Sequence, residues 1–207
     1  MPNPASANPI ADRDRLRREL RAKRRRLSPL QRQQAARAAT LAFTASRSFR
    51  AAKRIALYST VGSELDTLPL LTASLARGKL VFVPRIKAGR ARRMDWVRAH
   101  PDSIWQRNRY GIAEPQPRLR GDIERALNLD LVLLPLLGFD ARGHRLGSGV
   151  GFYDRALAFR LRRQRLWRRP RLIGLAFACQ KVSELPAERW DVPLDGVLTE
   201  QGLELFR

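Results

Sequence analysis

The segment Arg145-Leu146-Gly147-Ser148-Gly149-Val150-Gly151-Phe152-Tyr153-Asp154-Arg155 carries the residue types of a phosphate site. Three glycines at alternate positions let backbone N–H groups converge where side chains would obstruct them, and a helix starting after them adds partial positive charge. Arg145 can neutralise phosphate charge. Asp154, in the first turn of that helix, can hold magnesium, since a carboxylate beside phosphate is electrostatically costly unless a cation sits between them. The spacing is not the Walker pattern, and Phe152 stands where the dinucleotide fingerprint requires its third glycine. Taken alone, the glycines also suit a tight turn, and Asp154 suits a helix-end charge favoured by the dipole.

The elements that would position this loop are legible on either side of it. Leu129 to Leu134 is a continuous apolar run bounded by Asn128 and Pro135, the pattern of a strand buried on both faces of a parallel sheet. The loop should run into a helix from about Phe152 to Gln164. Upstream, Ile55 to Tyr58, a helix capped by Asp66 or Thr67 and ended by Gly78, and Leu80 to Val83 closed by Pro84 form a βαβ unit. Met94 to Val97 reads as an edge strand, Ile123 to Leu127 as a short helix, and Leu172 to Phe177 and Gly196 to Thr199 as further strands. Before all of these, Asp12 to Leu27 reads as a basic helix with Leu16, Leu20 and Leu27 on its apolar stripe. Ser28 and Pro29 start a second helix through Ala35, Ala39 and Phe43, paired antiparallel with the first or forming a bent arm with it. The fold expected is α/β: a single domain over residues 12–207 with a mostly parallel central sheet flanked by helices, an N-terminal helical extension, and a loose tail at 1–11.

Composition narrows the partners. The 207 residues include one cysteine and two histidines, which excludes a disulfide framework, a thiolate-rich metal site and a histidine cluster. The longest apolar stretch, Leu131 to Phe139, is broken by Pro135 and is far short of the roughly 20 residues that cross a bilayer. With no apolar core in the first eleven residues, a secretory leader is not expected and a cytoplasmic location is. The net charge of +22 invites a nucleic-acid reading, but residues 1–54 and 155–171 hold nearly all of it while the middle is close to balanced. Of the 41 basic residues 36 are arginine, a skew that codon composition can produce. No zinc finger, aromatic RNA-binding signature or helix-turn-helix spacing accompanies the charge.

Ordered blocks extend the match beyond the loop: Tyr58 through Glu64-Leu65-Asp66-Thr67, Val83-Pro84, Tyr110-Gly111-Ile112-Ala113-Glu114-Pro115, Leu134-Pro135-Leu136-Leu137-Gly138-Phe139-Asp140, then Gln180, Leu185-Pro186, Asp191, Asp195 and Thr199-Glu200. In these blocks, from about Arg13 to Gly202, the sequence resembles the 5-formyltetrahydrofolate cyclo-ligases, also called methenyltetrahydrofolate synthetases. The resemblance implies an ATP- and magnesium-dependent ring closure of 5-formyltetrahydrofolate to 5,10-methenyltetrahydrofolate with release of ADP and phosphate. It implies ATP at Arg13, Arg17 and the loop residues Arg145, Leu146, Gly147, Ser148, Gly149, Val150, Gly151, Phe152 and Tyr153. The folate would meet Tyr58, Glu64 and Tyr110 together with Ser148 to Phe152, and Asp154 and Asp191 would hold Mg2+.

Other readings of these residues stand beside the resemblance: Arg13 and Arg17 as surface charges, Tyr58 as a core aromatic, Tyr110 as a turn residue. Three positions depart from the family's habit. Arg13 stands where lysine is frequent, Val150 where glycine or lysine is frequent, and Trp190 where bacterial members usually have histidine. The expected partners are ATP and a folate, polyglutamylated or not, with the chain a monomer and no membrane. A paralogue acting on another formyl or carboxyl substrate is the first alternative. An RNA-binding protein using the basic N-terminal segment is the second, and nucleic acid is not expected as the primary partner.

Overall fold

The computed structural model describes residues 9–87, 93–162 and 169–206, with side chains from Asp12 onward. Helix α1 (Pro9–Arg25) begins three residues before its expected start. The first eight residues of the expected tail lie outside the described residues. Helix α2 (Pro29–Ala45) starts as its sequence dictates: the Ser28 hydroxyl accepts from Gln31 N–H, the Gln31 side chain accepts from Ser28 N–H, and Pro29 occupies the first turn. A short α3 (Arg47–Ala51) leads into β1 (Arg54–Ala56), α4 (Leu68–Ala76) and β2 (Leu80–Ile86).

The chain then forms β3 (Met94–Ala99), β4 (Trp105–Arg107), β5 (Ala113–Pro115) and β6 (Ile123–Glu124), followed by β7 (Leu131–Pro135), β8 (Gly138–Phe139) and β9 (Arg145–Leu146). Helices α5 (Phe152–Leu157) and α6 (Phe159–Arg162) precede β10 (Arg171–Leu175), β11 (Gly196–Thr199) and β12 (Gly202–Leu205). Eight strands make one sheet in the order β12-β11-β10-β7-β1-β2-β3-β6. Five consecutive strands, β11 to β2, run parallel, while β12 pairs antiparallel with β11, β3 with β2 and β6 with β3. β7 lies at the centre between β10 and β1. Its Leu131 and Leu133 pack under α2 and α4 while Val132 and Leu134 pack on the opposite face with Leu157, so both faces are buried.

Local expectations needed correction. The helix expected over Ile123 to Leu127 is a two-residue strand and a 3₁₀ turn, because Ile123 and Glu124 pair with β3. That pairing also makes β3 an inner strand instead of an edge. Pro84 does not end β2, which continues through it to Ile86 opposite β3. The helix after the glycine loop breaks at Ala158 into two short pieces, and the end expected at Gln164 lies outside the described residues. Among the described residues no helix is long and apolar enough to cross a membrane.

The two N-terminal helices pack on different parts of the molecule. α2 covers the sheet face, whereas α1 crosses the carboxyl ends of the strands and anchors Leu20 among Leu137, Leu146 and Leu185. Gly138 permits that approach: a Cβ there would sit 2.6 Å from a Leu20 methyl.

Candidate functional site

In open parallel sheets ligands collect beyond the carboxyl ends of the strands, where the chain order reverses. Here β1 is flanked by β2 on one side and β7 on the other, and the reversal lies between them. The first cavity, about 530 Å³, opens at that point: Tyr58 and Ser59 follow β1, Pro84 and Ile86 come from β2, and Pro135 to Leu137 from the end of β7. A second cavity of about 580 Å³ lies against it. Arg145, Gly147, Val150, Gly151 and Asp154 line both, so the glycine loop is the wall between them.

The second cavity is lined by four arginines, Arg13, Arg17, Arg145 and Arg155, and three carboxylates, Asp154, Glu188 and Asp191. Arg13 and Arg17, one turn apart on α1, both line it. Arg13 pairs with Asp191 at 2.9 Å, and Arg17 Nε donates to Gly147 O at 3.1 Å, tying α1 to the loop. The buried Arg145 guanidinium donates to Asp154 and to the Val192 carbonyl. Asp191 also accepts from Glu188 N–H. Both carboxylates expected at magnesium therefore line one cavity and are held by arginines. Trp190, 56% exposed, lines it beside them.

Within the loop, Gly149 and Gly151 adopt φ of 102° and 69°, the left-handed region that disfavours side chains, whereas Gly147 does not. Only two of the three glycines are thus required by backbone conformation. Helix α5 has six residues, so its dipole is small. The positive charge at this wall comes chiefly from Arg13, Arg17, Arg145 and Arg155, which also lies over the Phe152 ring.

The first cavity is largely apolar with a few charged groups. Glu64 lines it and accepts from Val61 N–H at 3.0 Å. Burial pushes its carboxyl above the usual carboxylate range, with the Val61 N–H and Arg24 opposing the shift. Tyr58 is both a core aromatic and a wall residue: it is 3% exposed, and its hydroxyl donates to Leu65 O at 2.7 Å. Burial raises the Tyr153 phenol far above its ordinary value, reinforced by the Glu64 charge, so it stays a neutral donor. Tyr110 is half exposed, and it meets Phe152 edge to face at 6.3 Å between ring centroids.

Of the residues expected at the site, Arg13, Arg17, Arg145, Gly147, Gly149, Val150, Gly151, Asp154 and Asp191 gather at the second cavity. Tyr58, Glu64, Tyr110, Ser148, Phe152 and Tyr153 line the first. Leu146 lines neither; its side chain is core, packed with Leu20, Leu137 and Leu185.

The sequence reading missed Arg24 and Glu114, both buried and both lining the first cavity. Arg13, Arg17, Leu20 and Arg24 are spaced by four, three and four residues, which puts them on one helix face. That period was the available signal for Arg24, obscured by the run Arg24-Arg25-Arg26. Glu114 holds Ile86 N–H at 2.8 Å and Asn108 at 2.6 Å, tying β2 to the β5 side of the cavity.

The chain is similar to known proteins along most of its length. Residues 9–200 match the model of the 5-formyltetrahydrofolate cyclo-ligase family. The 5-formyltetrahydrofolate cyclo-ligase of Haemophilus influenzae is 36% identical over 189 residues, 90% of this chain and 96% of that protein. That of Escherichia coli K12 is 35% identical over 87% of this chain and 96% of its own length. Among solved structures, the 5,10-methenyltetrahydrofolate synthetase of Aquifex aeolicus superposes with a TM-score of 0.79 at 27% identity, covering 94% of this chain and 93% of that one.

Proposed function

The chain belongs to the 5-formyltetrahydrofolate cyclo-ligase family, and from that premise we propose that its two cavities divide the reaction, the folate in the first and ATP in the second. The observation that carries this division is the shared glycine-loop wall: a largely apolar cavity holding Glu64 and a more polar one holding Arg13, Arg17, Asp154 and Asp191 meet across Gly147 to Gly151. A formyl oxygen is a poor leaving group. On this reading it attacks the γ-phosphorus, ADP departs, the folate N10 attacks the activated carbon and loses its proton, and the C–O bond breaks to release phosphate. The chain's work is positioning and charge neutralisation. Arg13, Arg17 and Arg145 bind phosphate oxygens, and the left-handed Gly149 and Gly151 bring backbone close to them. Glu64 accepts from the pterin, while Tyr58, Tyr110 and Phe152 wall off water.

Asp154 and Asp191 fit magnesium by their chemistry: two hard oxygen donors on the nucleotide cavity suit an ion that takes one or two carboxylates plus phosphates and water. Bound there, magnesium would neutralise phosphate charge. Arg21 and Arg25 also line the folate cavity, and neither is in an ion pair among the described residues, which supports a glutamate tail of one or several residues as partner. A monomer in the cytoplasm completes the reading. The test is spectrophotometric: purified protein with 5-formyltetrahydrofolate forms the near-ultraviolet chromophore of the methenyl product only when ATP and magnesium are both present. No product and no ATP hydrolysis at saturating substrate overturn it.

A further inference from the structure

Arg24 is 7% exposed, yet among the described residues it has one hydrogen bond, from Nε to Ser63 Oγ at 3.0 Å. Its terminal nitrogens have no carboxylate within ion-pair distance there and no other hydrogen-bond acceptor, and the residue lines the first cavity beside Glu64. Neither terminal nitrogen is sealed from solvent, so in a residue otherwise buried both NH2 groups stand open to an acceptor that enters the cavity. Burial also lowers its affinity for its proton, opposed by the nearby Glu64 charge. The side chain is held at Nε and by its burial, with its donors toward the cavity.

We propose that Arg24 is a substrate-binding and specificity-determining residue, its terminal nitrogens donating to the 4-oxo group of the pterin while Glu64 accepts from the ring's N–H groups. The proposal rests on the folate occupying this cavity. A 2-amino-4-oxo pyrimidine ring presents, along one edge, an amino donor, a ring N–H donor and a carbonyl acceptor. A carboxylate and a guanidinium side by side match that order. A 2,4-diamino ring presents a donor where the carbonyl was and an acceptor where the N–H was, so it would set donor against donor at Arg24 and acceptor against acceptor at Glu64. Binding sites that pair specific polar groups reject analogues lacking them, because the site's own groups are then left unpaired.

The experiment measures KM for 5-formyltetrahydrofolate and for ATP, and inhibition by the 4-amino-4-deoxy analogue of the substrate, in wild type, Arg24→Gln, Arg24→Lys and Glu64→Gln. Arg24→Gln is expected to raise the folate KM about tenfold to a hundredfold, to leave the ATP KM within about twofold, and to shrink the preference for the 4-oxo over the 4-amino ring. Arg24→Lys, which keeps charge but loses the fork, should recover part of the affinity and guard against a folding defect in the glutamine variant. Unchanged 4-oxo preference in both Arg24 variants, whatever their thermal midpoints, assigns Arg24 a structural role and overturns the proposal. Loss of the Arg24→Gln effect when the substrate is 5-formyltetrahydropteroate, which lacks the glutamate tail, assigns the partner to the tail carboxylates and also overturns it. A folate KM raised by Glu64→Gln but not by Arg24→Gln refutes the role of Arg24 and leaves the cavity assignment standing. If neither variant moves the folate KM, the cavity assignment itself falls.

Discussion

Glu64 and Asp140 are carboxylates whose proton affinities move in opposite directions. Burial raises Glu64. Its folded pKa lies above the unfolded one, so the native state takes up the proton first: the buried carboxylate costs stability at neutral pH, and that cost disappears as pH falls through the raised value. Glu64→Gln should therefore raise the thermal midpoint at neutral pH while raising the folate KM at least tenfold, the loss expected for a hydrogen bond to a charged acceptor. Folate affinity in wild type should decline as Glu64 protonates, and steady-state kinetics against pH should show that limb flattened in the variant. For Asp140, burial alone would raise the carboxyl, but Leu185 N–H, the His144 ring and His144 N–H outweigh it and hold its pKa below the usual range. Its contribution is present above the unfolded pKa and is lost as pH falls through the folded one. Asp140→Ala should cost about 1–3 kcal/mol at neutral pH, from the donors left unpaired, and denaturant titrations should show that difference narrowing in acid. Both residues stand in the sequence blocks that carry the family resemblance, but the direction of each shift is set by the fold: burial for Glu64, and for Asp140 hydrogen bonds from donors as far away as Leu185.

At the level of elements, α1 and the glycine loop act together. Leu20, 1% exposed, anchors α1 over Leu137 and Leu146, and the same helix presents Arg13 and Arg17 to the second cavity and Arg24 to the first. Leu20→Ala should cost about 2–5 kcal/mol and, in the fraction that folds, raise the KM of both substrates together, a coupling that initial-rate kinetics would reveal. The loop separates its glycines by conformation. Gly149→Ala forces a side chain into φ of 102°, so ATP affinity should fall about tenfold, the strain being about 1–3 kcal/mol. Gly147→Ala, where φ is not left-handed and an added Cβ meets nothing within 4 Å, should leave the melting temperature unchanged. The alternate spacing marked the segment as a loop of close backbone approach. It could not distinguish the glycines from one another, because the conformation of each depends on the anchors at either end, the β8-β9 hairpin and α5.

For the whole molecule, the arginines in and just after α1, one share of the +22 charge, fall into two populations. Arg13, Arg17, Arg21, Arg24 and Arg25 line the two cavities, whereas Arg18 and Arg26 are exposed and line neither. Arg18→Glu with Arg26→Glu should leave both KM values at moderate salt near wild type, while kcat/KM for ATP at low ionic strength falls as long-range attraction weakens; a salt series separates the two effects. The sequence alone determined the parallel sheet, from apolar runs buried on both faces, and the glycine-rich loop with its neighbouring charges. These are local patterns, set by strand period, glycine freedom and residue chemistry. Which arginine lines which cavity, and that a single loop walls off one from the other, only the tertiary structure decided. Those facts depend on groups brought together from distant parts of the chain, such as Arg13 and Asp191 across 178 positions, and on the packing of Leu20 that rotates one face of α1 toward both sites.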